Sequence, residues 1–310
     1  MINKDHIIQA HERISPFIHH TPILTSESLN KITQTSLFFK CENFQKAGAF
    51  KSRGATNAIL NIPEDLRQKG VVTHSSGNHA QALALAALKN NMKCYVVMPE
   101  NAPQIKVDAV KNYQGIVTFC PPTQSDREKF TQEIILNTGA TFIPPYDHID
   151  IITGQSTAAK EVYQDIKELD YMITPVGGGG LLSGTILSTK YFSPNTRVIA
   201  AEPFGADDAY KSWKSGELIQ EQQPHTIADG LLTTLGNLNW SIIQNGVQDI
   251  IRVNDDEIRN AMTLIFQRMK IIVEPSSATV LAAVIKNQEY FQNKKIALIL
   301  SGGNYAPSTP

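Results

Sequence analysis

A repeated pairing of short apolar runs with amphipathic stretches restricts this chain's fold more than any other feature. The runs Leu37–Lys40, Val71–His74, Cys94–Met98, Ile116–Phe119, Thr141–Ile143, Met172–Val176, Val198–Glu202 and Ile296–Leu300 read as strands. They are too short for helices and are bounded by small or polar turn residues. Most are followed by helix-like segments, among them Asn78–Lys89, Ser125–Leu136, Gly154–Ile166 and Asp256–Met269. This alternation predicts an α/β architecture of two open, mostly parallel twisted sheets covered by helices on both faces. No repeat or low-complexity tract interrupts it.

Hydrophobic cores tend to split beyond about 250–300 residues, and this chain has 310, enough for one large or two modest domains. Residues 65–146 form one strand–helix series, and the turn residues Pro144-Pro145-Tyr146-Asp147 mark its end. The expected organisation is a small domain over 65–146 inserted into a larger one built from 1–64 and 147–310. Ligands of open α/β sheets bind beyond the carboxyl ends of the strands, so the loops there are where chemistry is expected.

A net charge of −1 leaves no electrostatic footprint for nucleic acid or an anionic membrane. The start, Met1-Ile2-Asn3-Lys4-Asp5-His6, lacks the apolar core of a signal peptide, and the apolar run from Val280 to Ile285 is too short to span a bilayer. Cys41, Cys94 and Cys120 are odd in number and widely spaced. That suits reduced thiols of a cytoplasmic protein rather than a disulfide or zinc framework.

Several loops hold chemistry-bearing residues. Gly177, Gly178, Gly179 and Gly180 follow a strand and open a helix. A tight turn needs one or two glycines; four in succession leave backbone N–H groups bare beside a positive helix end, which suits a phosphate dianion. Neither a GxGxxG fingerprint with its acidic partner nor a GK[ST] loop is present. Ser75-Ser76-Gly77-Asn78-His79 precedes an alanine-rich helix. Ser76 and Asn78 suit capping of that helix, and the same N–H cluster suits a carboxylate. Ser301, at the end of the last strand, suits a turn or a hydrogen bond to a ring nitrogen. Lys51 follows Phe50 and opens a small-residue helix, where a desolvated amine loses its proton and forms a Schiff base. Glu202, Asp207 and Asp208 close another strand; spacing alone favours helix capping there over a cation site. No HExxH or GxSxG pattern supports a zinc or serine hydrolase.

Taken together, Phe50-Lys51-Ser52-Arg53-Gly54-Ala55, Ser76-Gly77-Asn78-His79, Gly177–Gly180 and Ser301-Gly302-Gly303-Asn304 resemble the serine racemase and serine–threonine dehydratase family of fold-type II, tryptophan synthase β-like, pyridoxal-phosphate enzymes. The resemblance runs almost end to end, from Arg13-Ile14 and His20-Thr21-Pro22 onward, and includes Thr226-Ile227-Ala228-Asp229-Gly230 and Glu274-Pro275-Ser276. It implies pyridoxal 5′-phosphate carried on Lys51, with Phe50 beside it. It further implies the four glycines on the phosphate, Asn78 on the ring hydroxyl and Ser301 on the ring nitrogen. Ser75, Ser76, Asn78 and His79 would clasp the substrate carboxylate, Ser76 would face Lys51 as a second acid–base group, and Arg127 would lie near the substrate. For the acidic loop it reverses the reading from spacing: Glu202, the Ala206 carbonyl and Asp208 become ligands for Mg²⁺, or for Mn²⁺ or Ca²⁺.

The implied activity is that of an ammonia-lyase converting L-serine or L-threonine to a 2-oxo acid and ammonia, with serine racemisation or 3-hydroxyaspartate dehydration as alternatives. A homodimer acting on small amino acids is implied as well. The contrasting reading, a silent ligand-binding homologue, would need a lost lysine or a broken glycine loop, and both motifs are intact. Ala47 and Ala49 depart from the hydroxyl residues common in relatives, and Ser276-Ser277-Ala278 departs from the usual small-residue turn; both bear on substrate preference. The end at Pro310 leads us to expect no C-terminal regulatory domain and no feedback control by isoleucine.

Overall fold

The apolar runs assemble into two separate sheets. The structure is a computed structural model and describes residues 2–220 and 222–305. Its strands are β1 (Ile23–Leu24), β2 (Ser36–Cys41), β3 (Val71–His74), β4 (Cys94–Pro99), β5 (Ile116–Cys120), β6 (Thr141–Phe142), β7 (Tyr171–Pro175), β8 (Arg197–Pro203), β9 (Asp249–Val253) and β10 (Lys295–Leu300). The larger sheet has the order β1-β2-β10-β7-β8-β9 and the smaller β5-β4-β3-β6. Only β1 with β2 is antiparallel; the other pairings are parallel. The helix-covered, mostly parallel α/β architecture expected from the alternation is present. No helix among the described residues is long and apolar enough to cross a membrane.

Central strands β7 and β10 are buried almost throughout, as continuous apolar strands covered on both faces must be. Two strands have no clear signature in the sequence. β1 has only two residues, and the apolar pair in β9 is flanked by Asp249 and Arg252, which an edge strand tolerates.

The helix Ile149–Asp165 departs furthest from its expected bounds. The sequence pattern starts a helix at Gly154, yet the helix runs Ile149–Asp165 with His148 as its N-cap. Gly154 is there for closeness rather than for termination. A Cβ on it would lie 2.5 Å from the Gly54 Cα, so this helix touches the helix Lys51–Leu60 backbone to backbone. Its other side receives Gly184 of the helix Gly180–Phe192, where a Cβ would lie 2.6 Å from the Ser156 backbone nitrogen. One central helix therefore fixes both the lysine helix and the glycine-loop helix.

A buried ionic cluster braces the same corner. The Arg53 guanidinium donates to Glu42 at 2.7 and 2.8 Å and to Glu161 at 2.6 and 2.8 Å, and Lys40 Nζ donates to Glu161 at 2.5 Å. Burial opposes the charges of Arg53 and Glu161, but their partners outweigh it: Arg53 holds its proton more tightly than usual, and the Glu161 carboxyl is pulled down to about 2.

Candidate active site

Lys51 opens its helix against the turn at 144–147. Nζ donates to the Pro145 carbonyl at 2.7 Å and lies 5.2 Å from the Phe50 ring centroid and 5.9 Å from that of Tyr146. Burial pushes the amine down to about 8, and the Glu274 carboxylate partly offsets this. It is the kind of environment in which a lysine becomes a nucleophile or base near neutral pH.

The glycine loop lies beyond β7, next to that turn. Gly177–Gly180 are buried, and among the described residues their backbone N–H groups donate to no protein acceptor. Gly179 has φ +93°, a conformation that costs a side-chain-bearing residue. At Gly178 a Cβ would sit 2.3 Å from Tyr146 Cγ, so the ring lies flat against the loop. Asn239 ties the two together, donating to the Gly178 carbonyl at 2.9 Å and to the Tyr146 carbonyl at 3.3 Å. Four unpaired N–H groups before a helix form an anion cradle.

Ser301 is brought to Lys51 across 250 residues of chain: the Phe50 N–H donates to the Ser301 carbonyl at 2.9 Å. Its hydroxyl lies 3.1 Å from that of Ser277. Opposite stands the helix Asn78–Lys89, whose N-cap is Gly77 with no side-chain cap. The capping expected of Ser76 and Asn78 is thus absent. Asn78 Nδ2 instead donates to both Glu274 oxygens, at 2.9 and 3.0 Å, and its Oδ1 accepts from Asn304 at 2.9 Å. The Ser75 hydroxyl accepts from the Gly77 N–H at 3.3 Å, and Ser76 lies half-buried in the same loop.

The His79 ring points elsewhere. It is buried against the Ile143 carbonyl at 3.2 Å, and burial, then Lys51, pushes it down to about 3. Only its backbone belongs to the helix N-terminus. Arg127 lies half-buried on the helix Gln124–Thr138, and its Nε has no acceptor among the described residues.

Away from the lysine, β8 ends in the acidic loop. Capping there comes from an unexpected residue: Glu202 accepts from the Ala209 and Tyr210 N–H groups at 2.9 and 2.8 Å, whereas Asp207 makes no cap. Asp207 pairs with Lys211 at 2.6 Å and Arg252 at 2.8 Å. Asp208 accepts from Gln222 and from the Leu235 N–H, both at 2.8 Å. Burial pushes Glu202 well above the carboxylate range and Asp208 up to about 6. Among the described residues no three His, Cys, Asp or Glu side chains form a metal cluster; the expected set of two carboxylates and a carbonyl would not make one. The loop connects to the glycine loop, since Gly236, next to Leu235, donates to the Gly178 carbonyl at 3.3 Å.

Three residues at the lysine do not stand out in the sequence. Pro145 and Tyr146 mark only a domain join there, and Glu274 is only part of a matching turn. The signal for Glu274 is a carboxylate directly before the apolar helix Pro275–Lys286, where burial is unavoidable.

Comparison with known proteins agrees with this geometry. The family model described as pyridoxal-phosphate dependent enzyme matches residues 14–302. The chain is 49% identical to the beta-hydroxyaspartate dehydratase of Paracoccus denitrificans, covering 96% of this chain and 95% of that protein. It is similar to the crystal structure of serine racemase from Dictyostelium discoideum, with TM-score 0.94, 49% identity and 99% of both chains covered. The processed form of threonine deaminase isoform 2 from Solanum lycopersicum gives TM-score 0.92 at 31% identity, covering 99% of this chain and 92% of that one. A lysine, an anion cradle and this degree of likeness lead to one conclusion: the chain belongs to the pyridoxal-phosphate dependent enzyme family.

Proposed function

We propose that this enzyme is an ammonia-lyase of the serine racemase subgroup that converts L-serine or L-threonine to a 2-oxo acid and ammonia. The observation that carries the reading is the desolvated Lys51 amine, held against the Pro145–Tyr146 turn on whose other side the anion cradle packs. These residues fit pyridoxal phosphate: unpaired N–H groups suit its phosphate, and an amine near neutrality suits its carbonyl carbon.

When bound, that cofactor would supply a sink for the electron pair left as an amino acid loses its α-proton. The chain's own residues do the rest. The N–H groups of Gly177, Gly178, Gly179 and Gly180 would hold the phosphate, Ser301 would serve the ring nitrogen and Asn78 the ring hydroxyl, with Phe50 alongside. The Ser75–His79 loop and its helix N-terminus hold the substrate carboxylate. Lys51 Nζ takes the α-proton; loss of the β-hydroxyl and hydrolysis then give the 2-oxo acid and ammonia. Residues 65–146, which carry the smaller sheet, act as the substrate-clasping domain against 1–64 and 147–310. Glu202, the Ala206 carbonyl and Asp208 would hold a divalent cation, magnesium in the first instance. Two buried carboxylates that bond to no cationic side chain among the described residues support that site. The free, buried Cys41, Cys94 and Cys120 fit a reducing, cytoplasmic setting, and the subgroup resemblance supports a homodimer.

Two neighbouring activities have support of their own. Ser76, which the resemblance sets across from Lys51, suits reprotonation from the opposite face and hence racemisation. The Arg127 Nε without an acceptor, together with the beta-hydroxyaspartate dehydratase among the relatives, favours 3-hydroxyaspartate as a second substrate. Rates of 2-oxo acid and D-serine formation from L-serine, L-threonine and 3-hydroxyaspartate, with and without Mg²⁺, test the set. Absence of product from all three sinks it, and a purified protein lacking the visible absorbance of a lysine-bound cofactor would restore the silent ligand-binding reading. Ser76→Ala is expected to abolish D-serine formation while sparing part of the elimination from L-serine; equal loss of both removes Ser76 as the second face.

A further inference from the structure

Glu274 is only 4% exposed, yet it does not cap the helix it precedes. Its carboxylate turns instead toward Asn78, taking that amide on both oxygens at 2.9 and 3.0 Å. Its backbone N–H donates to the Gly302 carbonyl at 3.0 Å, and a Cβ on Gly302 would come within 2.6 Å of Oε1. The segment that carries Ser301 thus lies directly against this carboxylate, which a side chain at position 302 would have to displace.

Gly302 also pairs with Ala49 across an antiparallel bridge, and the same Cβ would come within 3.1 Å of the Ala49 Cβ, so the Glu274 carboxylate lies against the segment that leads into Lys51. Its charged neighbours are Lys51 at the start of the helix Lys51–Leu60, Asp229 in the turn Asp229–Leu231 and Lys106 on the helix Gln104–Asn112. Asp229 and Lys106 pair with each other at 2.5 Å. Lys51 is the neighbour whose charge is not already matched.

We propose that Glu274 is a positioning residue of the reaction centre: its carboxylate oxygens fix the Asn78 amide, and its negative charge holds a proton on the Lys51 amine. Burial pushes the Glu274 carboxyl up to about 7 and the Lys51 amine down to about 8, so both titrate across the same narrow range. A lysine as enclosed as Lys51 would otherwise shed its proton sooner. Glu274 keeps it available for return to substrate or product, and Asn78 stays aligned whichever group holds it. The inference rests on reading Lys51 as the reactive amine.

The test measures Lys51 itself in cofactor-free protein. Trace acetylation of lysines as a function of pH, read at residue 51 by peptide mass spectrometry, gives the midpoint of the amine. In the wild type the midpoint is expected well below that of an ordinary lysine. Glu274→Gln keeps the shape and an acceptor for Asn78 but removes the charge, and should lower the midpoint by roughly one pH unit. Glu274→Asp keeps the charge and should restore most of the wild-type value. In reconstituted protein the pH midpoint of cofactor absorbance should differ between the wild type and Glu274→Gln but stay close to wild type in Glu274→Asp. A wild-type midpoint at the ordinary lysine value removes the reading of Lys51 and the proposal with it. A displaced wild-type midpoint left unmoved by Glu274→Gln, or moved equally by both variants, overturns the proposal alone.

Discussion

Two clusters of buried charge in this chain are built on opposite plans. Around Arg53, every ionised group has a partner of opposite sign: two carboxylates meet a guanidinium and an ammonium in one closed set. At the end of β8, Glu202 and Asp208 are equally buried but receive only N–H donors, and the nearby cations Lys211 and Arg252 go to Asp207 instead. The first cluster is complete within the protein. The second has two like charges and is completed by protons or by a cation from outside. Closed charge sets brace a fold; open ones mark where something binds.

The strongest way to break this contrast is to open the closed cluster. Arg53→Met keeps much of the bulk but leaves Glu42 and Glu161 buried without the guanidinium that bonds them both. Removing one partner of a buried ion pair costs roughly 3–5 kcal/mol, so a large drop in the urea midpoint is expected. Because Arg53 lies two residues beyond Lys51, cofactor retention should fall with it. A loss below about 1 kcal/mol, the range of an exposed pair, would mean that the cluster braces nothing.

Acid sharpens the same contrast. The folded-state pKa of Glu161 is depressed from 4.5 to about 2 because its cationic partners outweigh burial. A depressed carboxyl contributes stability that is present above its unfolded value and is lost as pH falls through its folded value. The stability gap between wild type and Glu161→Gln should therefore be widest above pH 5 and narrow toward pH 2. The narrowing should be on the order of 3 kcal/mol, as expected for a shift of this size. A gap that stays constant across that window would show that Glu161 acts through packing rather than charge.

How much of this is legible in the sequence depends on the kind of residue. Strands β3, β4 and β10 fall within a residue of their expected bounds because uninterrupted apolar runs between turns admit few other readings. Lys51 and the glycine loop stand out because each is a chemical type out of keeping with a bland turn. Arg53 and Glu161 give no such sign: they lie 108 positions apart, and nothing local marks a charge as buried. Gly154 misleads for a related reason, since a glycine in a helical pattern looks the same whether it ends a helix or lets a neighbour approach. Glu274 is visible only as a letter before a proline. Its importance comes from Asn78, 196 positions away, and tertiary pairing of that kind has no period to read. In the acidic loop the capping logic is sound but the residue differs, because Glu202 reaches forward from a strand instead of standing at the helix start.

The open cluster gives the smallest effect without a cation and a clear one with it. Asp208→Asn removes one of two like charges while leaving an oxygen for the Leu235 N–H or Gln222 amide. Without divalent metal, relief of repulsion and loss of one acceptor oppose each other, so the change should stay within about 1 kcal/mol. Magnesium enlarges the effect. A cation present at 100 times its dissociation constant stabilises the wild type by about 2.7 kcal/mol, and Asp208→Asn should forfeit most of that gain. Thermal or urea unfolding of both proteins in chelator and in excess Mg²⁺ reads all four corners of this cycle. Stabilisation of wild type and variant by the same amount would place the cation elsewhere. No stabilisation of either would leave Glu202 and Asp208 as a buried pair completed by protons alone.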